Sequence, residues 1–325
     1  MNRNHNALNG RDIISIISPF FNEQDNLHEL YERIKNVIPA HYNWELVLVD
    51  DGSTDNSVEV VKEICRDDNR VRLIVLSRNY GHQYALTAGY DYAKGKAVVS
   101  MDSDLQHPPE VIPEMIDLWE KGENIVFCRR KNANDLGWFK RTSSSLFYLL
   151  LKKISRIDLI EGSADFRLLD KKVVSCLKQY RESHRFLRGI VSDLGFKRYI
   201  LDYEEGKRQA GESKYGIYKM MKLALSGVFS FSSFPLRVSM YFGIGISLFS
   251  IIYAIWIIYY KVVYGISGGM SSVLVGIFFV GGIQLISIGI LGEYLANIFI
   301  EVKKRPLYSV SEVYGDQEKN LSNRD

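Results

Sequence analysis

Two aspartates directly follow an apolar run in the segment Val98–Ile112, which reads VVSMDSDLQHPPEVI. The run is suited to a buried strand, and a single residue separates Asp102 from Asp104. In an extended chain residues i and i+2 point the same way, so the two carboxylates can face one point. Unpaired, they would repel each other there. A hard divalent cation such as Mg²⁺ or Mn²⁺ would bind them together with the phosphate oxygens of a substrate. The spacing therefore indicates a metal and phosphate site.

Other phosphate-binding motifs are absent from the sequence. There is no GxxxxGKS/T motif and no GxGxxG after a predicted strand, so neither a P-loop nucleotidase nor a dinucleotide enzyme is indicated. Cys65, Cys128 and Cys176 have neither CxxC nor metal-binding spacing, and they suit a reducing compartment. The net charge is only +3, and no nucleic-acid partner is expected.

The chain up to about residue 230 alternates short β-rich runs with amphipathic stretches. The predicted strands are IISIIS (13–18), WELVLVD (44–50), VRLIVLS (71–77), AVVSMD (97–102) and NIVFC (124–128). Continuous apolar strands that alternate with helices predict a mostly parallel sheet covered on both faces. In such a sheet ligands bind at the carboxyl ends of the strands.

Polar clusters follow four of these predicted strands. In chain order they read SPFFNEQDN, DDGSTDNS, SRNYGHQ and DSDLQHPPE. Turn chemistry and helix capping can explain any one of them, and Asp55, Ser57 and Pro108 are well suited to those roles. Four such ends along one edge of a sheet favour a polar binding site.

Two long uncharged runs, Val238–Tyr260 and Ser271–Gly292, follow this region. Each exceeds the roughly 20 apolar residues that a helix needs to cross a bilayer. The alternative is a buried hairpin in a soluble domain, although core helices are seldom apolar all round for so long. Basic residues gather outside the pair, at Arg237 and Lys303–Arg305, so the positive-inside rule predicts a two-span protein of the inner (cytoplasmic) membrane with both termini in the cytoplasm. The polar start has no signal-peptide core, which places the large N-terminal part in the cytoplasm too.

Two further segments, Gly137–Ser155 and Lys214–Phe234, mix aromatic and aliphatic residues with lysine and arginine. This pattern is typical of helices that lie in a lipid interface, and the alternative is ordinary amphipathic helices packed on the sheet. The glycines and serines of the second span would allow close approach of another copy. A homo-oligomer formed through the spans is therefore an open alternative to a monomer.

Several ordered motifs resemble glycosyltransferase family 2, in the branch that acts on polyprenyl phosphates and carries a two-span tail. They are SIISPFFNEQDNL, LVLVDDGSTDNS, LSRNYGHQYALTAGYDYAKG, MDSDLQHPPE, GSADFRLLD, RQAGESKY and GEYLANIFIEVKKRPLY. The branch includes dolichyl-phosphate mannose synthases, bactoprenol glucosyltransferases and the aminoarabinose transferases of lipid A modification. The resemblance implies a GT-A fold, which is Rossmann-like, together with a nucleotide-sugar donor, a divalent metal and a polyprenyl phosphate acceptor.

The resemblance also implies roles for individual residues. The nucleotide-sugar-binding residues would be Pro19, Asn22, Glu23, Asp51, Asp102 and Gln106, and the metal ligands would be Asp102, Asp104 and Gln106. Asp104 and Asp165 are the predicted catalytic residues, with Asp165 either a base or an orienting residue. The acceptor phosphate or the donor diphosphate would be bound by Arg129, Arg141, Arg208 and Lys214. One departure is Ser103, where many relatives have alanine, and it leaves the carboxylates unchanged.

These roles divide the chain into residues 1–133 for the nucleotide sugar, 134–231 for the acceptor side, 232–302 for the two spans and 303–325 for a cytoplasmic tail.

The expected reaction is inverting transfer of a hexose to polyprenyl phosphate, with UDP-glucose as the first choice of donor. A lipid phosphate already carries an anionic oxygen, so it needs little help from a strong base. The alternatives are a mannose synthase that uses GDP-mannose and a non-catalytic flippase or scaffold. A processive polysaccharide synthase is disfavoured because the QxxRW motif is absent.

Overall fold

The computed structural model describes residues 13–131, 163–183, 185–204, 234–264 and 270–315. These residues form two compact units. The first contains the described residues up to 204 together with 306–315, and the second contains those from 234 to 305. The domain boundaries predicted at residues 133 and 231 fall in segments outside the described residues. The division of the chain derived from the sequence therefore stays a prediction.

An eight-stranded mixed sheet forms the centre of the first unit. Its strands are β1 (Ile13–Phe20), β2 (Asn43–Asp50), β3 (Val71–Leu76), β4 (Ala97–Ser100), β5 (Ile125–Arg130), β6 (Ser163–Asp170), β7 (Arg198–Tyr203) and β8 (Val310–Tyr314). Their order across the sheet is β7-β5-β6-β4-β1-β2-β3-β8. β4, β1, β2 and β3 are parallel neighbours, as are β5 and β7, whereas β6 and β8 run antiparallel to the strands beside them. The predicted fold class is confirmed.

Helices cover both faces of this sheet, which explains why its strands are apolar on both sides. They are α1 (Gln24–Val37), α2 (Ser57–Asp67), α3 (His82–Tyr92), α4 (Ile112–Glu120), α5 (Lys171–Leu177) and α6 (Leu187–Asp193). Leu27 and Ile34 lie one heptad apart on α1 and are buried in the same core as Ile16 of β1. The next residue of β1, Ile17, packs in the core of the opposite face with Leu86 of α3. Successive strand residues thus supply two separate cores.

The last strand, β8, lies at the edge of the sheet beside β3. It pairs antiparallel to β3, with Glu312 opposite Val75 and Tyr314 opposite Leu73. The Ser311 hydroxyl also donates to the Val75 carbonyl at 3.0 Å. The sequence predicts only a cytoplasmic tail for residues 303–325, so this strand is an addition to the expected fold.

A buried polar network fills the end of the sheet opposite the polar strand ends. Glu45 of β2 accepts a hydrogen bond from the Ser15 hydroxyl and pairs with Arg72 at 2.7 Å. The backbone N–H of Gly95 donates to the same Ser15 hydroxyl at 2.8 Å. A Cβ at Gly95 would lie 2.6 Å from the Ser15 nitrogen and 2.7 Å from the Ile13 carbonyl oxygen. Only glycine fits at this position.

Gly95→Ala is therefore expected to lower the free energy of unfolding by about 1–3 kcal/mol, because the backbone must shift to admit the methyl group. Thermal or chemical unfolding of the purified protein measures this loss. Gly89→Ala provides a graded control, since its methyl group would meet only the Ile17 side chain, at 3.1 Å. A Gly95→Ala protein as stable as the wild type would contradict the packing described.

Two long helices, α7 (Phe234–Tyr264) and α8 (Met270–Val302), form the described part of the second unit. Within them, Val238–Tyr264 and Phe279–Val302 are long and apolar enough to cross a membrane. Their apolar side chains are exposed, including Ile252 at 67% and Leu285 at 72%. A hairpin in a soluble domain would bury such residues, so this exposure favours contact with lipid.

Candidate active site

The carboxyl ends of the four parallel strands β4, β1, β2 and β3 meet at one edge of the sheet, where the four polar segments begin. Phe20 at the end of β1 is opposite Asp50 at the end of β2. On the other side of β1, Ser100 at the end of β4 is opposite Arg167 of the antiparallel strand β6. Asp165 comes two residues before Arg167 and therefore lies beside the end of β4. The sheet brings together polar groups that are far apart in sequence.

The loops after β1 and β2 are joined by side-chain hydrogen bonds. Asn22 adopts a left-handed backbone conformation with φ of 58°, which asparagine tolerates better than most residues. Its Oδ1 accepts the backbone N–H of Thr54 at 2.8 Å, and its own N–H donates to Ser53 Oγ at 3.0 Å. Pro19 is buried within β1, and Glu23 is half-buried just before α1. Their predicted roles in binding the nucleotide stay predictions.

Asp51 connects the end of β2 to the loop after β3. Its two carboxylate oxygens accept the backbone N–H groups of Tyr80 at 2.8 Å and Gly81 at 2.9 Å. Burial raises the pKa of Asp51, although these two donors oppose the shift. The two loops are so close that a Cβ at Gly52 would lie 2.6 Å from the Asn79 nitrogen. Asp51 thus shapes the edge of the site, and its predicted contact with a nucleobase is untested.

The segment after β4 alternates in burial from residue to residue. Asp102, Asp104 and Gln106 are half-buried, whereas the residues between them are buried. The three predicted metal ligands are therefore more exposed than their neighbours, which is the alternation predicted for this segment, although the chain bends at residues 103–105. Leu105 has φ of 60°, an uncommon conformation for leucine, and Asp104 Oδ1 accepts the Gln106 N–H at 3.2 Å. These contacts bend the chain directly after the second carboxylate.

His107 supports the same segment from inside the protein. Its fully buried ring stacks on Phe166, with 5.1 Å between ring centroids. Nδ1 accepts the backbone N–H of Asp102 at 2.9 Å, which assigns the ring proton to Nε2. Burial lowers the pKa of His107 and keeps the ring neutral. His107 is thus the internal hydrogen-bond acceptor that fixes the backbone at Asp102.

His107→Phe is expected to keep the aromatic stacking but lose this acceptor. The unpaired N–H at Asp102 should cost about 1–3 kcal/mol of stability, and displacement of the carboxylates should lower activity at least tenfold. His41→Phe, a substitution at an exposed histidine, is the matched control. Thermal unfolding and turnover measured on both variants check the prediction. Wild-type turnover in His107→Phe would show that this hydrogen bond does not position Asp102.

Asp165 is the most heavily hydrogen-bonded carboxylate of the candidate site. It is buried and accepts hydrogen bonds from Arg167, from Arg188 at 2.9 and 3.2 Å and from Gln83 at 3.2 Å. Burial alone would raise the pKa of Asp165. The hydrogen bond with His82 and the charges of Arg167 and Arg188 instead hold it well below its usual range. A carboxylate in this state accepts a proton poorly near neutral pH.

His82, Gln83, Arg167 and Arg188 were not among the residues singled out in the sequence. His82 is the first residue of α3, and its Nε2 lies 3.4 Å from Asp102 Oδ1 and 3.6 Å from Asp165 Oδ2. Desolvation would lower the pKa of His82, but Asp165 and Asp102 raise it. Arg188 lies near the start of α6 with 37% of its side chain exposed, so one cation reaches solvent beside the carboxylates. Two motifs noted in the sequence contain members of this group: SRNYGHQ contains His82 and Gln83, and GSADFRLLD contains Arg167.

The predicted acceptor-binding residues are placed differently. Arg129 lies on β5 and forms a two-pronged ion pair with Asp202 of β7, with contacts of 2.7 and 3.0 Å. Arg141, Arg208 and Lys214 lie outside the described residues, as do most of the two predicted interfacial helices. The structure therefore brings the segment with Asp102 and Asp104 close to Asp165, while the acceptor-binding roles stay predictions.

Known proteins are similar in sequence to this chain along nearly its whole length. A family model described as Glycosyl transferase family 2 matches residues 15–178. The chain is 39% identical over 301 residues to the bactoprenol glucosyl transferase of Shigella phage SfII, covering 92% of this chain and 97% of that protein. It is 41% identical over 310 residues to an uncharacterized glycosyltransferase of Bacillus subtilis (strain 168), covering 94% and 96%.

The mixed sheet, its polar strand ends and these matches define a glycosyltransferase with the GT-A fold. The chain belongs to glycosyltransferase family 2, which confirms the resemblance seen in the motifs. Among solved structures, a glucosyl-3-phosphoglycerate synthase from Mycobacterium tuberculosis has a TM-score of 0.46 and 16% identity, covering 67% of this chain and 77% of that one. A similarity this distant carries no information about the function of this chain.

Proposed function

We propose that the protein transfers glucose from UDP-glucose to a polyprenyl phosphate, with inversion at the anomeric carbon. The observation that carries the proposal is that Asp102 and Asp165 both lie beside His82 Nε2 at the strand ends of a family 2 glycosyltransferase, with Asp104 two residues further along the same segment. The choice of sugar and acceptor is supported by the bactoprenol glucosyl transferase of Shigella phage SfII, which aligns with 92% of this chain. The product would be a lipid-linked glucose used in modifying cell-envelope glycans.

A divalent metal, Mg²⁺ or Mn²⁺, is part of the proposal. Asp102, Asp104 and Gln106 supply the oxygen donors that such ions prefer, at alternating positions of the segment after β4. Asp102 Oδ1 is buried and accepts no hydrogen bond within the described parts of the chain, and His82 Nε2 lies 3.4 Å from it. The same parts contain no cluster of three or more His, Cys, Asp or Glu side chains able to hold a metal by themselves. The residues thus fit an ion shared with substrate phosphates, where it would neutralise the leaving nucleoside diphosphate.

The remaining chemistry concerns charge rather than proton transfer. The acceptor phosphate carries its own anionic oxygen, so it attacks the sugar without a strong base. Donor and acceptor are both anionic, and fixed cations must offset their repulsion. Arg188 is held in place by Asp165 and partly exposed, which suits it to that task. In this proposal Asp165 orients arginines and does not remove a proton.

The other predicted residues keep their proposed roles. Pro19, Asn22, Glu23 and Asp51 would form the nucleotide-binding side of the site, and Arg129, Arg141, Arg208 and Lys214 would bind the acceptor phosphate or the donor diphosphate. Because Arg129 is paired with Asp202, it would have to leave that partner, or share its guanidinium, to bind an acceptor. Binding of an acceptor phosphate by Arg129 therefore requires that the ion pair with Asp202 opens or is shared.

Membrane attachment completes the proposal. The segments Val238–Tyr264 and Phe279–Val302 would span the inner (cytoplasmic) membrane as a hairpin, with the catalytic domain and both termini in the cytoplasm. A site on the cytoplasmic side meets both the soluble nucleotide sugar and the headgroup of the lipid acceptor. Within this proposal, a homo-oligomer formed through these helices is the alternative to a monomer.

The test incubates membranes that contain the full-length protein with radiolabelled UDP-glucose, undecaprenyl phosphate and Mg²⁺ or Mn²⁺. The expected result is an organic-extractable product that yields labelled glucose on mild acid hydrolysis. Membranes with Asp104→Asn are the matched control. Parallel reactions with UDP-N-acetylglucosamine, UDP-galactose and GDP-mannose test the choice of sugar. Product from GDP-mannose alone would select the mannose synthase alternative, and no lipid product from any donor would favour a flippase or scaffold.

A further inference from the structure

The segment after the second long helix contacts the end of α3 and the start of the loop that joins β3 to α3. The Tyr308 hydroxyl donates to the carboxylate of Asp91, near the end of α3, at 2.7 Å. Arg181 holds the same carboxylate with two contacts, at 2.8 and 3.0 Å. One residue further on, the Ser309 carbonyl accepts the backbone N–H of Ser77, in the loop that leads into α3, at 2.9 Å. Tyr308 thus contacts the end of α3, and Ser309 contacts the start of the loop that leads into α3.

That loop and helix carry part of the candidate active site. The Ser77 hydroxyl lies 3.1 Å from the Tyr80 hydroxyl. The Tyr80 backbone N–H donates to Asp51, and His82 lies beside the carboxylates of Asp102 and Asp165. A shift of the loop would therefore move the residues that shape the nucleotide side of the site. Positions that must be correct to within about 1 Å make such a shift costly for turnover.

We infer that Tyr308 and strand β8 position the Ser77–His82 loop, so that the segment beyond the membrane helices is needed for productive donor binding. The competing explanation is that β8 only covers the edge of the sheet, where β3 would otherwise expose unpaired backbone groups. Edge protection requires the ladder of β8 with β3. The bond from Ser77 to Ser309 extends this pairing by one residue beyond Leu76 and Val310. Edge protection does not require the bond from Tyr308 to Asp91, which lies outside the ladder and holds α3, the helix that carries His82.

The inference rests on the proposed function only for its kinetic readout, so the first measurement is independent of activity. Hydrogen exchange followed by mass spectrometry compares the full-length wild type with Tyr308→Phe and with a chain that ends at Pro306. Exchange in peptides covering Ser77–His82 is expected to rise about tenfold in Tyr308→Phe, the change that corresponds to losing one hydrogen bond to a charged group. Peptides from β1 and β4 should exchange as in the wild type. Tyr314→Phe, in the same segment but away from the loop, is the matched control.

The second measurement separates positioning from stability. In Tyr308→Phe, KM for UDP-glucose is expected to rise at least threefold with kcat changed less than twofold, because the loop faces the donor side. Unchanged hydrogen exchange in Ser77–His82 would overturn the inference. A lower melting temperature with an unchanged KM would overturn it too, because β8 would then only protect the edge of the sheet. If the shortened chain fails to fold, the Tyr308→Phe variant still tests the inference. If the wild type transfers no glucose, the proposed function fails while the exchange result stands.

Discussion

Asp104→Asn is expected to lower the rate of transfer about a thousandfold or more. Asparagine has nearly the same shape, so the substitution removes one negative charge and leaves the extended segment in place. Loss of one preorganised hydrogen-bond donor that stabilises transition-state charge costs about 10²- to 10³-fold, and loss of a metal-binding carboxylate should cost at least as much. Single-turnover measurements with saturating UDP-glucose separate the chemical step from donor binding.

Three controls determine what that result means. Asp67→Asn replaces an exposed aspartate at the end of α2 and should leave the rate unchanged. Thermal unfolding of Asp104→Asn should match the wild type, because the side chain is half-buried and its hydrogen bond within the described part of the chain is to the Gln106 N–H. Chelation of the wild type should abolish transfer, and added Mg²⁺ or Mn²⁺ should restore it. Full activity of the wild type in chelator would contradict the metal assignment.

The parts of the fold that were predicted correctly are those with a local pattern. β1 to β5 read as short apolar runs, and each lies within about two residues of its predicted bounds because burial on both faces leaves little choice of residue type. The outward direction of Asp102 and Asp104 follows from the two-residue period of an extended chain. The exposed apolar surface of α7 and α8 was likewise visible as unbroken hydrophobicity.

The parts that were missed depend on partners distant in sequence. β6 pairs antiparallel with β4 and β5, and β8 pairs antiparallel with β3, across more than 30 intervening residues in each case, and no local period encodes such a pairing. Arg188 is one of many arginines on amphipathic segments, and only the folded chain shows that it reaches Asp165. His107 belongs to a noticed motif, but its acceptor role depends on the ring being buried against Phe166.

Asp165→Asn and Arg188→Ala are the other substitutions that are expected to have large effects. Asp165→Asn leaves the fully buried Arg167 without a charged partner, which should cost about 3–5 kcal/mol of stability and lower transfer at least a hundredfold. The pKa of Asp165 is held below the usual value near 4, so its ionised form stabilises the fold fully above that pH. This contribution disappears as the pH falls through the lowered pKa. The Asn variant should therefore lack that part of the acid sensitivity of the wild type.

Arg188→Ala is the variant that decides the role of Asp165, because 37% of the Arg188 side chain is exposed and its removal should leave the fold intact. If Asp165 acts by holding Arg188, both single variants lower kcat/KM by about 10²-fold, and the double variant is scarcely worse than either, since residues that act as a unit are not additive. If Asp165 acts independently of Arg188, the two losses multiply in the double variant. Arg188→Lys keeps the charge but loses the planar pair of donors, so it should restore only part of the rate. Assays of the wild type and these four variants, at a temperature well below the melting point of the least stable one, distinguish these outcomes. Multiplicative losses would contradict the proposed role of Asp165 in orienting Arg188.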